Sequence, residues 1–319
     1  MLHLRVLCPG EQTAAVRTLL LDEPGVTHVT VLTGAALKPE GDVLEAAVTR
    51  ECADRVLAAL TDMEIDRVGG ITLESIDTVL SESATAAEEA VPGDPADAVI
   101  WEELVARTGE DSRLTVSFLA FLTIACVLAA IGAITNSPVT VVGAMVLGPE
   151  FGPLAALAVG IVLRRADLLR TSAVALGVGF PVAVAVTAVA AVLFRAAGLL
   201  DASKPVDTSQ VDFIYEVGPF SLIIALLAGA AGILSLTSAK SGALVGVFIS
   251  VTTVPAAAFV AVAAVEGEWQ RAVSSLAQLV VNLAGIVVAA AAVLWLNPST
   301  RAAAARRTPA ESGERGGHR

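Results

Sequence analysis

Glu150 is the only acid or base deep inside any of the long apolar segments of this chain. Inserting a charged side chain at mid-helix costs about 2.5–3.5 kcal/mol, so a carboxylate held there calls for a reason. Two chemistries supply one. The group can bind a cation or carry a proton, with burial raising its affinity for the proton. Or it can stand at a helix start, where a negative charge offsets the helix dipole. Its neighbours Gly148, Pro149, Gly152 and Pro153 interrupt the helical pattern, and a second interruption, Thr252-Thr253-Val254-Pro255, lies about a hundred residues later. Proline removes a backbone donor, and hydrocarbon cannot satisfy the groups it frees, so both interruptions must face protein or a polar cavity. Thr252 and Thr253 would join Glu150 as oxygen ligands for a solute or ion. Gln278 and Asn282, following Ser274 and Ser275 on one helical face, would line a pore or bond between helices. Asn136 and Ser137 precede Pro138 and could complete a pocket, but an N-cap followed by proline at the first helical position explains them better.

The elements that position these residues follow from composition. Of 319 residues, 55% are hydrophobic and only 16% charged, too apolar for a water-soluble fold. Residues 1–112 hold 22 acids against 7 bases, whereas residues 113–319 hold 10 against 13. An acidic body therefore precedes an apolar one. The acidic part would repel phosphate backbones, so no nucleic-acid partner is expected. The apolar part has no histidine, since His3, His28 and His318 are the only three, and Cys8, Cys52 and Cys126 lie far apart. No metal, cofactor or catalytic relay is expected from such a set, and no enzyme. The first ten residues lack the basic flank and apolar run of a cleavable signal.

Six segments are long enough to cross a hydrocarbon layer of about 30 Å: 114–135, 138–163, 168–197, 219–236, 241–265 and 272–296. With the amino terminus in the cytoplasm, Arg107, Arg113, Arg164, Arg165, Arg170, Lys240 and Arg301, Arg306, Arg307, Arg315 and Arg319 fall inside, and Arg195, Lys204 and Arg271 outside. This excess of bases predicts both termini in the cytoplasm of a cell inner membrane. Trp269 and Trp295 bracket the last segment as interfacial anchors do. Laying 114–197 over 219–296 at an offset of about 103 matches three segments to three and Val142-Gly143 to Val245-Gly246. After a one-residue slip, Pro153, Ala155 and Ala156 match Pro255, Ala257 and Ala258. Three is odd, so the second copy would enter the membrane from the opposite side, the inverted repeat of transport folds with broken middle helices. Counted from Pro138 at about 1.5 Å per residue, Glu150 falls near mid-membrane.

Ahead of this region, His3–Cys8, Val26–Thr33, Asp42–Val48 and Ile65–Ile76 read as strands, and Glu11–Leu21 and Glu51–Thr61 as helices. The order βαββαβ over residues 1–80 predicts a ferredoxin-like α+β cytosolic domain. Residues 81–98 have linker composition, followed by an amphipathic helix over 98–107 that lies on the membrane surface or packs on the first span. The domains expected are thus 1–80, an acidic linker and helix over 81–113, the six-helix part 114–297 and a disordered basic tail 298–319.

The stretch 108–160, TGEDSRLTVSFLAFLTIACVLAAIGAITNSPVTVVGAMVLGPEFGPLAALAVG, resembles the hydrophobic membrane proteins of the domain-of-unknown-function 389 family, most specifically over TNSPVTVVGAMVLGPEFGP, residues 135–153. A second similarity runs through SGALVGVFISVTTVPAAAFVAVA, residues 241–263. The resemblance implies an integral membrane protein and supplies no substrate. Two functions remain expected from the residues. One is a transporter or channel for a small solute or ion with a site between the two interruptions, regulated by the cytosolic domain. The other is a membrane-anchored sensor or scaffold whose front domain binds an effector. Numerous glycines and alanines permit the close helix packing of a homo-oligomer under either.

Overall fold

A computed structural model describes residues 1–76, 78–93, 98–199, 218–237 and 245–297, with side chains at 219 and 245–252 left aside. The side chain of Thr252, the tail 298–319, Lys204 and Lys240 lie outside the described residues. Two compact units emerge, one built on Met1–Leu104 and the other on the apolar remainder from Val105.

The first unit opens with β1 (Leu2–Cys8), whose alternate residues Leu2, Leu4, Val6 and Cys8 are buried, the period of a strand with one face on a core. It continues through α1 (Thr13–Asp22), β2 (Val26–Leu37), β3 (Glu40–Val48), α2 (Arg50–Asp62), the short α3 (Ile65–Val68) and β4 (Gly70–Ser75). The sheet order is β2-β3-β1-β4, antiparallel throughout, with Leu4 opposite both Ala46 and Leu73. Here β3 lies between β1 and β2, and β1 lies between β3 and β4. Each βαβ unit is thus split by a strand of the other, the arrangement expected of βαββαβ order. Helix α2 buries Cys52, Ala53, Val56, Leu57 and Leu60 at helical spacing, α1 buries Val16 and Leu20, and the strand faces complete one core.

Three expectations change. The last strand does not start at Ile65: Glu64 turns the chain at φ 57°, Ile65–Val68 form α3 with Ile65 fully buried, and strand pairing begins only at Gly70. The region of linker composition contains α4 (Glu82–Ala90), with Ala84 and Ala87 buried. His28 on β2 bonds the hydroxyls of Ser81 and Ser83, each at 3.0 Å, and the amino-terminal amine approaches Glu88 at 3.6 Å. Alanine and glutamate are good helix formers, and composition alone does not separate a linker from such a helix. Third, α5 (Trp101–Asp111) buries Trp101 and Leu104, and Ile100 just before it joins the core of the α+β unit. The backbone N–H of Trp101 donates to Asp54. The apolar face predicted to meet a bilayer or the first span is in part consumed by this core.

Asp42 ties the front edge of the sheet together. Its carboxylate accepts the Thr13 hydroxyl at 2.6 Å and the Gly34 N–H at 2.8 Å, and these bonds, the Thr13 one foremost, hold its pKa below the ordinary aspartate range.

The second unit comprises α6 (Val116–Ile134), α7 (Pro138–Met145), α8 (Phe151–Val162), α9 (Ala166–Ala196), α10 (Pro219–Thr237), α11 (Val245–Glu266) and α12 (Trp269–Leu296). Among the described residues four helices are long and apolar enough to cross a membrane: Val116–Ile134, Ala166–Ala196, Phe220–Thr237 and Trp269–Leu296. Phe151–Val162 and Thr253–Glu266 are apolar but shorter. The unit is inside out by the standards of a protein in water. Its core is filled by alanines, such as Ala125, Ala129, Ala130, Ala256, Ala257 and Ala258, and encloses a carboxylate, whereas Val174, Val178, Val182 and Val186 project outward from one face of α9. An apolar exterior with a small-residue interior suits hydrocarbon as the solvent, where close backbone approach drives packing. This is a membrane protein. Trp269 and Trp295, at the two ends of α12, are both exposed.

The helices recur at a fixed spacing. Helices α6 and α10 begin at Val116 and Pro219 and end at Ile134 and Thr237, and α9 and α12 begin at Ala166 and Trp269; each pair is 103 positions apart. The connections recur too. Arg164 and Gly267, 103 apart, both have positive φ, and the N–H groups of Arg165 and Glu268 close on the carbonyls of Gly160 and Ala263. Packing follows suit: α8 lies against α9 and α12, and α11 against α12 and α9.

A Cβ on Gly229 would lie 2.3 Å from the Ile286 carbonyl oxygen, so Gly229→Ala must push α10 off α12 and should cost about 1–3 kcal/mol. Gly143 has open space around it, and Gly143→Ala should leave thermal unfolding in detergent unchanged or raise it, by up to about 1 kcal/mol. Because the folded pKa of Asp42 is lowered, its stabilisation is full above the unfolded pKa and is lost as pH falls through the folded one. Asp42→Asn should therefore weaken the α+β unit at pH 7 and flatten its loss of stability in acid, read by denaturant unfolding at pH 7 and below pH 4.

Candidate functional site

Ser137 caps α7, accepting the Thr140 N–H, and Pro138 takes the first helical position, so the cap explanation of Ser137-Pro138 describes this turn. Asn136 sits in the same turn at φ 48°, a conformation asparagine tolerates. Helix α7 ends at Met145, and residues 146–150 form the break, with Pro149 unable to donate and Gly148 closing back on Met145. Two of the predicted breakers have another role. Gly152 and Pro153 lie within the first turn of α8, where backbone donors have no helical acceptor and proline costs nothing. Gly152 is small because a Cβ there would lie 2.5 Å from that of Asp111, in the segment leading into α6. The second expected interruption does not end its helix: α11 runs through Pro255 from Val245 to Glu266. Proline deletes one ladder bond there, and a helix packed on α6, α7, α9 and α12 absorbs that loss.

Glu150 is the N-cap residue of α8 and is fully buried. Its Oε1 accepts the Thr253 hydroxyl at 2.6 Å, and Thr253, on α11, is fully buried as well. A short bond from a hydroxyl to a carboxyl oxygen compensates part of the cost of taking the carboxyl out of water. These two residues are 103 positions apart, the spacing at which the helices recur. They come from the break and from α11, the two places where sequence put the chemistry. Thr252 adjoins Thr253 on α11.

A second polar group forms on α12. Gln278 donates to the Ser221 hydroxyl oxygen at 3.2 Å, and Ser221 donates to Asn282 Oδ1 at 3.1 Å, with both amides buried. Ser221, in the first turn of α10, joins them, and sequence gave no sign of it because its partners lie 57 and 61 residues away. The positions 103 before Ser221 and Asn282 are Phe118 and Gly179, and they also meet: a Cβ on Gly179 would lie 2.8 Å from the Phe118 ring. The same helix junction is therefore polar in one half and apolar in the other. Among the described residues no three His, Cys, Asp or Glu side chains gather to hold a metal ion.

Residues 145–288 match the family model described as Domain of unknown function (DUF389). This region belongs to DUF389. The match runs from the last residue of α7 into α12, so the break, Glu150, Thr253, Gln278 and Asn282 all lie inside the DUF389 region, and the α+β unit lies outside it. It agrees with the resemblance read from residues 135–153 and 241–263. No curated protein and no solved structure matches the chain.

The bond from Thr253 can be weighed directly. Thr253→Val keeps the shape and removes the donor to a buried carboxyl, which should cost about 1–3 kcal/mol in thermal unfolding. Thr253→Ser keeps the donor and should lose less than half as much.

Proposed function

We propose that this protein is a transporter for a small ion or solute, built from two inverted three-helix repeats, with Glu150 and Thr253 as its central site. The observation that carries the reading is the hydrogen bond between residues separated by exactly the repeat spacing. When two halves are related by a two-fold axis, equivalent residues touch only where the axis passes between them. An axis in the membrane plane exchanges the two faces of the membrane while leaving such a site in place. A carboxyl on it is therefore equally placed to be served from either face, which is what alternating access demands of a carrier site. The paired packing of α8 and α11 on the same two helices supports the same symmetry. In this reading the chain makes six passes, with α7, the break and α8 together forming the second, and both termini in the cytoplasm, as the excess of basic residues on that side implies. The α+β unit then faces the cytoplasm and regulates the carrier.

The test is ion flux through purified full-length protein in liposomes under imposed proton, sodium or potassium gradients. Glu150→Gln should lower the flux at least tenfold while thermal unfolding stays close to wild type. Equal flux in the two proteins would overturn the proposal, and a wild-type flux no greater than that of empty liposomes would leave the anchored sensor as the better reading.

A further inference from the structure

Ser172 on α9 and Ser275 on α12 are both fully buried, and neither hydroxyl has a hydrogen-bond partner. They are 103 positions apart and occupy the same place in their helices, six residues after Ala166 and after Trp269, about 9 Å along each axis. Serine in a helix commonly turns its hydroxyl back onto the carbonyl four residues earlier, and neither of these does so. One such hydroxyl is an oddity of packing. Two at repeat-equivalent positions are a property of the repeat. Thr187, a third buried hydroxyl of this kind, corresponds to Ala290 and has no counterpart.

Their surroundings give the pair a direction. Helices α9 and α12 each pack on both α8 and α11, the helices that bring Glu150 and Thr253 together. Under the inverted symmetry proposed above, on which this inference rests, α9 and α12 begin at opposite faces. The two serines then stand on opposite sides of the central carboxyl. Buried hydroxyls without protein partners are satisfied by water. We propose that Ser172 and Ser275 line two hydrated inlets, one from each face, and that the species they deliver to Glu150 is a proton. A metal cation would require several oxygen ligands around it, whereas the described residues place one carboxyl here and no cluster of acids. Glu150 and Cys126 are the only titratable side chains fully buried in this unit among the described residues. The step is simple: the carboxylate takes a proton from water in one inlet and returns it to water in the other.

The experiment uses the full-length protein carrying Ser172→Cys or Ser275→Cys, treated with a membrane-impermeant methanethiosulfonate in intact cells and in inside-out vesicles. The native Cys8, Cys52 and Cys126 are buried, so wild type sets the background. Ser172→Cys should react from the cytoplasmic face alone and Ser275→Cys from the opposite face alone, and each modification should cut proton flux at least tenfold. Leu176→Cys and Leu279→Cys, one turn further along the same faces and also 103 apart, should show the same sidedness and serve if a serine variant fails to fold. Reaction at neither position of a pair, or at both from one face, would overturn the inlets. Flux that ignores Glu150→Gln while sidedness holds would instead overturn the carrier role of Glu150 and leave the inlets standing.

Discussion

A solvent that cannot hydrogen-bond governs the second unit. In water an alanine-filled interior with valines outside would be the wrong way round, and a buried carboxyl would be an expensive ornament. In hydrocarbon the exterior is simply matched to its surroundings, and a buried polar group must find its partner in the protein or in enclosed water. That requirement explains the joining of Glu150 to Thr253 and of Gln278 and Asn282 to Ser221. It also explains why the break at residues 146–150 ends on a fully buried Glu150, whose carboxyl is met by a hydroxyl from another helix. The small side chains that let the backbones approach, Gly152 against Asp111 and Gly229 against Ile286, are consequences of the same need, because dispersion and close contact replace the hydrophobic effect as the force between helices.

Much of this was legible in the chain, because the signals were periodic. Alternation in Leu2–Cys8, helical spacing in Arg50–Asp62 and the recurrence at about 103 survive in the structure as strand, helix and matched element boundaries. Glu150 stood out since a lone charge in an apolar run has no ordinary explanation. Where sequence misled, two structures shared one composition. Residues 82–90 are rich in the alanine and glutamate that suit both a linker and a helix, and Pro255 carries the same breaker chemistry as Pro149 but sits in a helix whose neighbours hold it. Ser221 and Ser172 were invisible for a different reason. Their significance lies in a partner on another helix or in an equivalence to Ser275, neither of which a spacing along one helix can express.

The α+β unit obeys a different solvent and a different logic. Its strands alternate, its core is Leu, Val and Ile, and its ion pairs, such as Arg5 with Glu45, lie at the surface where each contributes little. Its core also reaches beyond the sheet to Ile100, at the threshold of α5, so that this apolar residue belongs to its folding. The match to DUF389, residues 145–288, lies within the second unit.

The unequal junctions of the two halves have an energetic meaning. In a carrier of the kind proposed, identical halves would leave two oppositely facing arrangements equal in energy, and neither would be favoured at rest. Here one junction is closed by a serine and an asparagine, whose bond must be broken and remade if the helices shift, and its counterpart by a phenylalanine ring lying on a glycine, which slides without such a penalty. The degeneracy is lifted at this point. A carrier built in this way would thereby acquire a preferred resting state and a direction in which it is easier to move.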